Sequence, residues 1–134
     1  MDREFLTLKE IEGVVVHDLY LKKEVARRSE AFEYLDDVEK MTQYIGGERV
    51  ASPPIRCDWM VKKIFYPEVE CYFLYNHKDQ EFPSSMQVLF SGKKARELKG
   101  DDLAVLSIAT INHMIHYIRL SNPGRALPEI CLVV

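Results

Sequence analysis

The sequence predicts an α+β fold: a small antiparallel sheet of three to four strands with two main helices packed on one face. Three observations carry that expectation. Three β-forming runs follow one another through the middle of the chain with short links between them, the pattern of an antiparallel meander. One stretch with apolar residues at helical spacing precedes those runs and a longer one follows them. Finally, 134 residues, 47% of them hydrophobic and 29% charged, suit one domain over residues 1–134. A chain of that size buries roughly two-thirds of its surface on folding and needs no disulfide or metal to hold its core.

Residues 1–21 are the hardest to read. Leu6, Leu8, Val14 and Val16 hint at the alternation of a weak strand with a turn at Glu12-Gly13, while Leu8, Ile11 and Val15 also fit a helix. The next segment is clearer. Ser29 reads as an N-cap, Glu30 and Glu33 put negative charge in a first turn, and Gly46-Gly47 supplies a left-handed stop. Ala31, Phe32, Tyr34, Leu35, Val38, Met41 and Ile45 fall on one half of a helix over about 30–45, with a start as early as Lys22 open.

Ser52-Pro53-Pro54 breaks the chain, and strands follow at about 57–66, 69–76 and 86–91. Pro67-Glu68 turns between the first two, the polar stretch Asn76 to Ser85 joins the second to the third, and Ser91-Gly92 ends the third. The last element is a helix over about 102–120, opened by Gly100-Asp101-Asp102 and stopped by Ser121-Asn122-Pro123-Gly124. Its apolar residues cover most of its circumference, which implies burial in the domain or use at a subunit interface. A homodimer through this helix is therefore expected.

Composition excludes several classes. With 18 basic against 21 acidic residues, a net charge of −3, the chain lacks a nucleic-acid footprint. No uninterrupted apolar run is long enough to cross a bilayer, and the charged start Met1-Asp2-Arg3-Glu4 is unlike a signal peptide. Cys57, Cys71 and Cys131 form no C-x-x-C pair and read as reduced thiols of a cytoplasmic protein. Dinucleotide, Walker A, nucleophile-elbow and H-E-x-x-H signatures are all absent.

What chemistry the chain carries is concentrated in the 76–85 loop. His77, Asp79 and Glu81 alternate, so an extended backbone would aim all three to one side, where they could hold a cation or pair a carboxylate with a base. The same alternation suits a solvated hairpin loop. His113 and His116 lie one turn apart on the last helix beside Tyr117; with no carboxylate or thiol to complete a metal set, all three are candidate interface residues. Gly92-Lys93-Lys94 with Arg96 is a small basic turn, and Asp58 opens the first strand.

From Phe32 to Ile118 the chain resembles an uncharacterised domain family of anaerobic bacteria and archaea, in the C-terminal part of that domain. The residues that carry the likeness are Asp58-Trp59, Phe65-Tyr66-Pro67-Glu68-Val69, Tyr72-Phe73-Leu74-Tyr75, Asp79-Gln80-Glu81-Phe82-Pro83-Ser84-Ser85, Val88-Leu89-Phe90, and Leu98 with Asp101-Asp102-Leu103-Ala104-Val105-Leu106. The family has no assigned activity; some members carry a cysteine-rich iron–sulfur segment, with an association to corrinoid or one-carbon metabolism. This chain lacks that segment, so cluster binding does not transfer, and it has Ser91 where the family strand runs into Asp. The resemblance implies Asp58, Asp79, Glu81 and Pro83, beside His77, as candidate ligand-binding residues. The expected function is a non-catalytic module of anaerobic metabolism that binds a small molecule or a protein. The alternative is a small enzyme or metal-binding domain built on His77, Asp79 and Glu81. No cofactor is identified.

Overall fold

The computed structural model of the protein describes residues 4–134, so the charged start read at Met1-Asp2-Arg3 lies outside the described residues. Helices α1 (Leu8–Glu12), α2 (Val16–Arg28) and α3 (Val38–Tyr44) lead into strands β1 (Glu48–Arg49), β2 (Trp59–Tyr66), β3 (Val69–Asn76) and β4 (Ser85–Ser91), and α4 (Gly100–Ser121) and α5 (Ile130–Val133) close the chain. The four strands pair antiparallel in the order β1-β2-β3-β4. The architecture is α+β, as the strand runs imply.

Two expectations are corrected. The weak strand over residues 1–21 gives way to two helices. Thr7 caps α1 in a reciprocal capping box with Glu10, and Gly13, at φ 78°, ends it. Among the described residues, what remains of the expected strand is one bridge, Leu6 to Phe90 on β4. Likewise, the helix over 30–45 is not continuous. Ser29 does not cap it: its buried hydroxyl donates to the Val25 carbonyl and α2 runs on into a 3-10 turn, Ser29–Tyr34. Leu35 is extended, and Asp37 then restarts the helix by accepting from the Lys40 N–H at 3.0 Å. Asp36-Asp37 is a local competitor for backbone donors, and it wins over the continuous apolar stripe. The two principal helices are accordingly α2 and α4, with α2 in the place expected of the 30–45 helix.

Register follows from side-chain alternation. Trp59, Val61, Cys71, Phe73, Tyr75 and Phe90 point to the helical side, where they meet Leu21, Val25, Met41 and the inner face of α4. Met60, Tyr72, Leu74 and Leu89 point to the opposite side and are covered by Phe5, Val50, Ile55 and Cys57. The apolar circumference of α4 has its explanation here, because α1, α2, α3, α5 and the 3-10 turn all pack on it. It is the one described helix with the length and mean hydropathy (1.2) of a membrane span, values that a central core helix also reaches.

Close approach matters at Gly92 and Gly100, as it does at Gly47, where the Lys62 carbonyl would stand 2.8 Å from a Cβ. Gly92, at φ 110°, has the Glu68 carbonyl where a Cβ would stand, so the turn after β4 seats against the β2–β3 turn. Gly100 leaves room for the Glu12 carboxylate at the start of α4, whose own cap residue, Lys99, offers no side-chain hydrogen bond. Glu12 in turn holds the His17 ring at 2.9 Å. A carboxylate beside a helix N-terminus is favoured by the exposed N–H groups there.

Candidate functional site

Strand β4 lies at one edge of the sheet and α2 runs beside it. Between them is a groove of about 440 Å³, walled by Leu21, Val25 and Ala26 on α2 and by Met86 and Val88 on β4, with Pro83 at one end. The lining is mainly apolar. Its two charged side chains, Asp18 and Lys22, are joined by a 2.9 Å ion pair on successive turns of α2. Such a concave apolar surface with a few polar groups is the usual form of a binding site.

A knot of hydrogen bonds sits at the Pro83 end. Tyr75 is on the helical side of β3, its ring stacked on Trp59 at 5.3 Å and tilted against Phe32 at 5.7 Å. Its hydroxyl donates to Glu33 on the 3-10 turn, and Ser84, which lines the groove, hydrogen-bonds the same hydroxyl. Glu33 also holds Nδ1 of His77 at 2.8 Å, while the His77 N–H donates to the Asp58 carboxylate at 2.6 Å. Both ends of the 76–85 loop are thereby fastened to the sheet and to the turn after α2.

The knot has a defined electrostatic character. Burial pushes the Glu33 carboxyl up, but the hydrogen bonds from Tyr75 and His77 outweigh it and hold the group below its ordinary value. Burial and the Glu33 carboxylate raise the Tyr75 hydroxyl, so it stays protonated as a donor. Nearby Cys57 is also pushed up, by burial first and then by the Asp58 carboxylate, which leaves it without thiolate character at neutral pH. This chemistry suits a structural clamp and supplies no activated nucleophile.

The candidate residues separate into different roles. His77 and Asp58 meet in the knot, and Pro83 borders the groove. Asp79 spends its carboxylate on its own loop, accepting from the N–H groups of Glu81 and Phe82 at 2.8 and 2.7 Å. Glu81 is exposed. Among the described residues no three His, Cys, Asp or Glu side chains stand together in a way that could hold a metal ion. At the other end of the fold His113 and Tyr117 pack on Tyr44 of α3, at 4.8 and 5.5 Å between rings, and His116 lies 3.0 Å from the Val134 carbonyl. Ser91 donates to the Glu4 carbonyl at 2.7 Å, a bond that an ionised Asp could not make. Arg96 of the basic turn is matched by Glu4 at 3.0 Å.

Reasoning from sequence missed Glu33, Tyr75 and the α2 wall. The signal for α2 was present: Asp18, Leu21, Lys22, Val25 and Ser29 recur at helical spacing, so one face of that helix was legible. Glu33 and Tyr75 are 42 residues apart and nothing local joins them.

Fold and site together define a small α+β domain with an open sheet edge and an apolar groove beside it. The chain belongs to the family described as a domain of unknown function, DUF3786, whose model matches residues 1–113. The match takes in α1 and α2 as well as the strands. No curated protein and no solved structure matches the chain.

Proposed function

We propose that this protein is a non-catalytic binding module that holds its ligand in the groove between α2 and β4. One observation carries the reading: an apolar cleft of about 440 Å³ is bordered by the loop that the Glu33–Tyr75–His77 knot immobilises. A mouth that is already ordered loses little conformational entropy on binding. A cytoplasmic location goes with the reading and is favoured by three unpaired thiols. A place in anaerobic metabolism is proposed on the sequence resemblance alone.

The test uses 1-anilinonaphthalene-8-sulfonate as a generic apolar probe, followed by the backbone amide signals of the isotope-labelled chain. Shifts should concentrate at Val25, Ala26, Met86 and Val88, and Ala26→Trp, a change at an exposed wall position, should suppress them. Shifts centred on any other surface would overturn the groove as the site.

Self-association through α4 is a separate proposal. It rests on Val105 and Leu120, 62% and 69% exposed, with Ala109 exposed between them. Light scattering at micromolar concentration should show a dimer that a Val105→Asp, Leu120→Asp double variant dissociates. A wild-type monomer would dispose of the idea.

A further inference from the structure

In an antiparallel ladder alternate residues bond to opposite sides of a strand, and two sets of bonds give the phase here. Asp58 donates to the Tyr75 carbonyl at 2.8 Å, so Tyr75, Phe73 and Cys71 bond toward β2, leaving Tyr72 and Leu74 to bond with Leu89 and Gln87 of β4. Phe90, conversely, exchanges both of its backbone bonds with Leu6, each at 2.8 Å, on the outer side of β4. Val88 and Met86 share the phase of Phe90. Their N–H and C=O groups therefore point outward, into the groove. Leu6 does not continue along them, because Thr7 caps α1 and the chain leaves the edge.

We propose that the groove accepts an extended segment of a partner polypeptide, added to β4 as a fifth strand in line with Leu6. The proposal rests on the groove being the binding site and specifies the class of ligand. Three features select that class. Donor and acceptor pairs repeating every second residue, ~6.8 Å apart, are matched by the backbone of another extended chain. The Leu6–Phe90 bridge already begins the pairing, so an incoming strand continues an existing ladder. Leu21, Val25 and Ala26 on α2 offer an apolar wall to alternate side chains of the segment, while Gln87, exposed on the other face of β4, tolerates polar ones. Because Asp18 and Lys22 neutralise each other, the groove favours an uncharged segment with apolar residues at alternate positions. The open part of the edge, Ser85 to Val88, accommodates about four residues at ~3.4 Å each.

The experiment selects displayed random decapeptides on the full chain and measures binding of a synthetic copy of the enriched sequence. The expected result is an apolar residue at every second position and at least tenfold weaker binding to Val88→Pro, which deletes one outward N–H and no bond to β3. Should Val88→Pro fail to fold, N-methylation along the peptide replaces it: binding should fall at alternate residues only. Uniform tolerance of N-methylation, or failure to enrich any alternating sequence, overturns strand addition. If the dye still maps to the groove in that case, the groove reading survives without it. A peptide that binds Ala26→Trp as well as wild type overturns both. A dimer that Val88→Pro dissociates would make a second copy of this chain the occupant and overturn the partner-segment proposal.

Discussion

The two faces of the sheet are both covered, yet by very different means. On one side Phe73, Tyr75 and Phe90 press into a layer of helices built from residues far apart in the chain. On the other, Met60, Tyr72, Leu74 and Leu89 are roofed by Phe5 and the irregular 50–57 stretch, and the sheet beyond them is open, with Ile64 54% exposed. The difference teaches how to read β3. Cys71-Tyr72-Phe73-Leu74-Tyr75 is apolar without interruption because both of its faces are dry, a pattern more usual in parallel sheets than in a small meander.

The largest expected effect tests that asymmetry. Phe73→Ala should cost about 3–5 kcal/mol, since packed helices cannot collapse into the space. Leu74→Ala, one residue along and equally buried, should lie near 2 kcal/mol, the lower end of its usual range, because a loop and Phe5 can settle inward. Chemical denaturation of both variants measures the contrast. A Leu74→Ala loss of about 5 kcal/mol, the upper end of its range, would mean that this face yields no more than the helical one.

A smaller effect concerns the knot where the helical face meets the 76–85 loop. Tyr75→Phe leaves Glu33 half-buried without one of its donors and should cost about 1–3 kcal/mol at neutral pH. The sign of its pH dependence follows from the depressed Glu33 carboxyl. Stability from a depressed acid is complete above its unfolded value and drains away as pH falls through the folded one. The gap between wild type and Tyr75→Phe should therefore be full at pH 7 and close in acid, below the ordinary carboxylate range. The raised Tyr75 hydroxyl acts in the other direction: its contribution is complete below pH ~10 and is lost as pH rises further. Unfolding free energies across pH 3 to 11 would sink the assignment if the gap widened in acid.

The smallest effect separates two residues that alternation had placed together. Asp79→Ala removes an acceptor for two loop N–H groups and should cost about 1 kcal/mol. Glu81→Ala, on the exposed side of the same turn, should stay within ~0.5 kcal/mol of wild type. Thermal melts of the pair suffice. Because Pro83 and Ser84 follow directly and line the groove, Asp79→Ala should also weaken any ligand held there, whereas Glu81→Ala should not.

Much of the fold was legible because local chemistry and tertiary packing agreed. The runs from Trp59, Val69 and Met86 are rich in β-formers and bounded by Pro67-Glu68 and Ser91-Gly92, so alternative elements had little to offer. The last helix was legible for the same reason, bracketed by Gly100 and Asn122-Pro123. Apart from one face of α2, the first 45 residues were not. There Thr7, Gly13 and Asp37 cut the chain into short helices whose apolar residues are few per segment, and periodicity over so short a window is ambiguous.

By itself, then, the sequence determined the class of fold, the three long strands, the final helix and the loop where polar residues gather. All of these depend on residues within a turn or two of each other. Only the tertiary structure decided which loop residues meet, that Glu33 and Tyr75 join them, and that α2 stands off β4 to leave a groove. Those outcomes depend on register and on which side of β4 its backbone bonds are used. Hydrogen bonds between residues 42 or more apart are set by packing of the whole chain, and no local pattern encodes them.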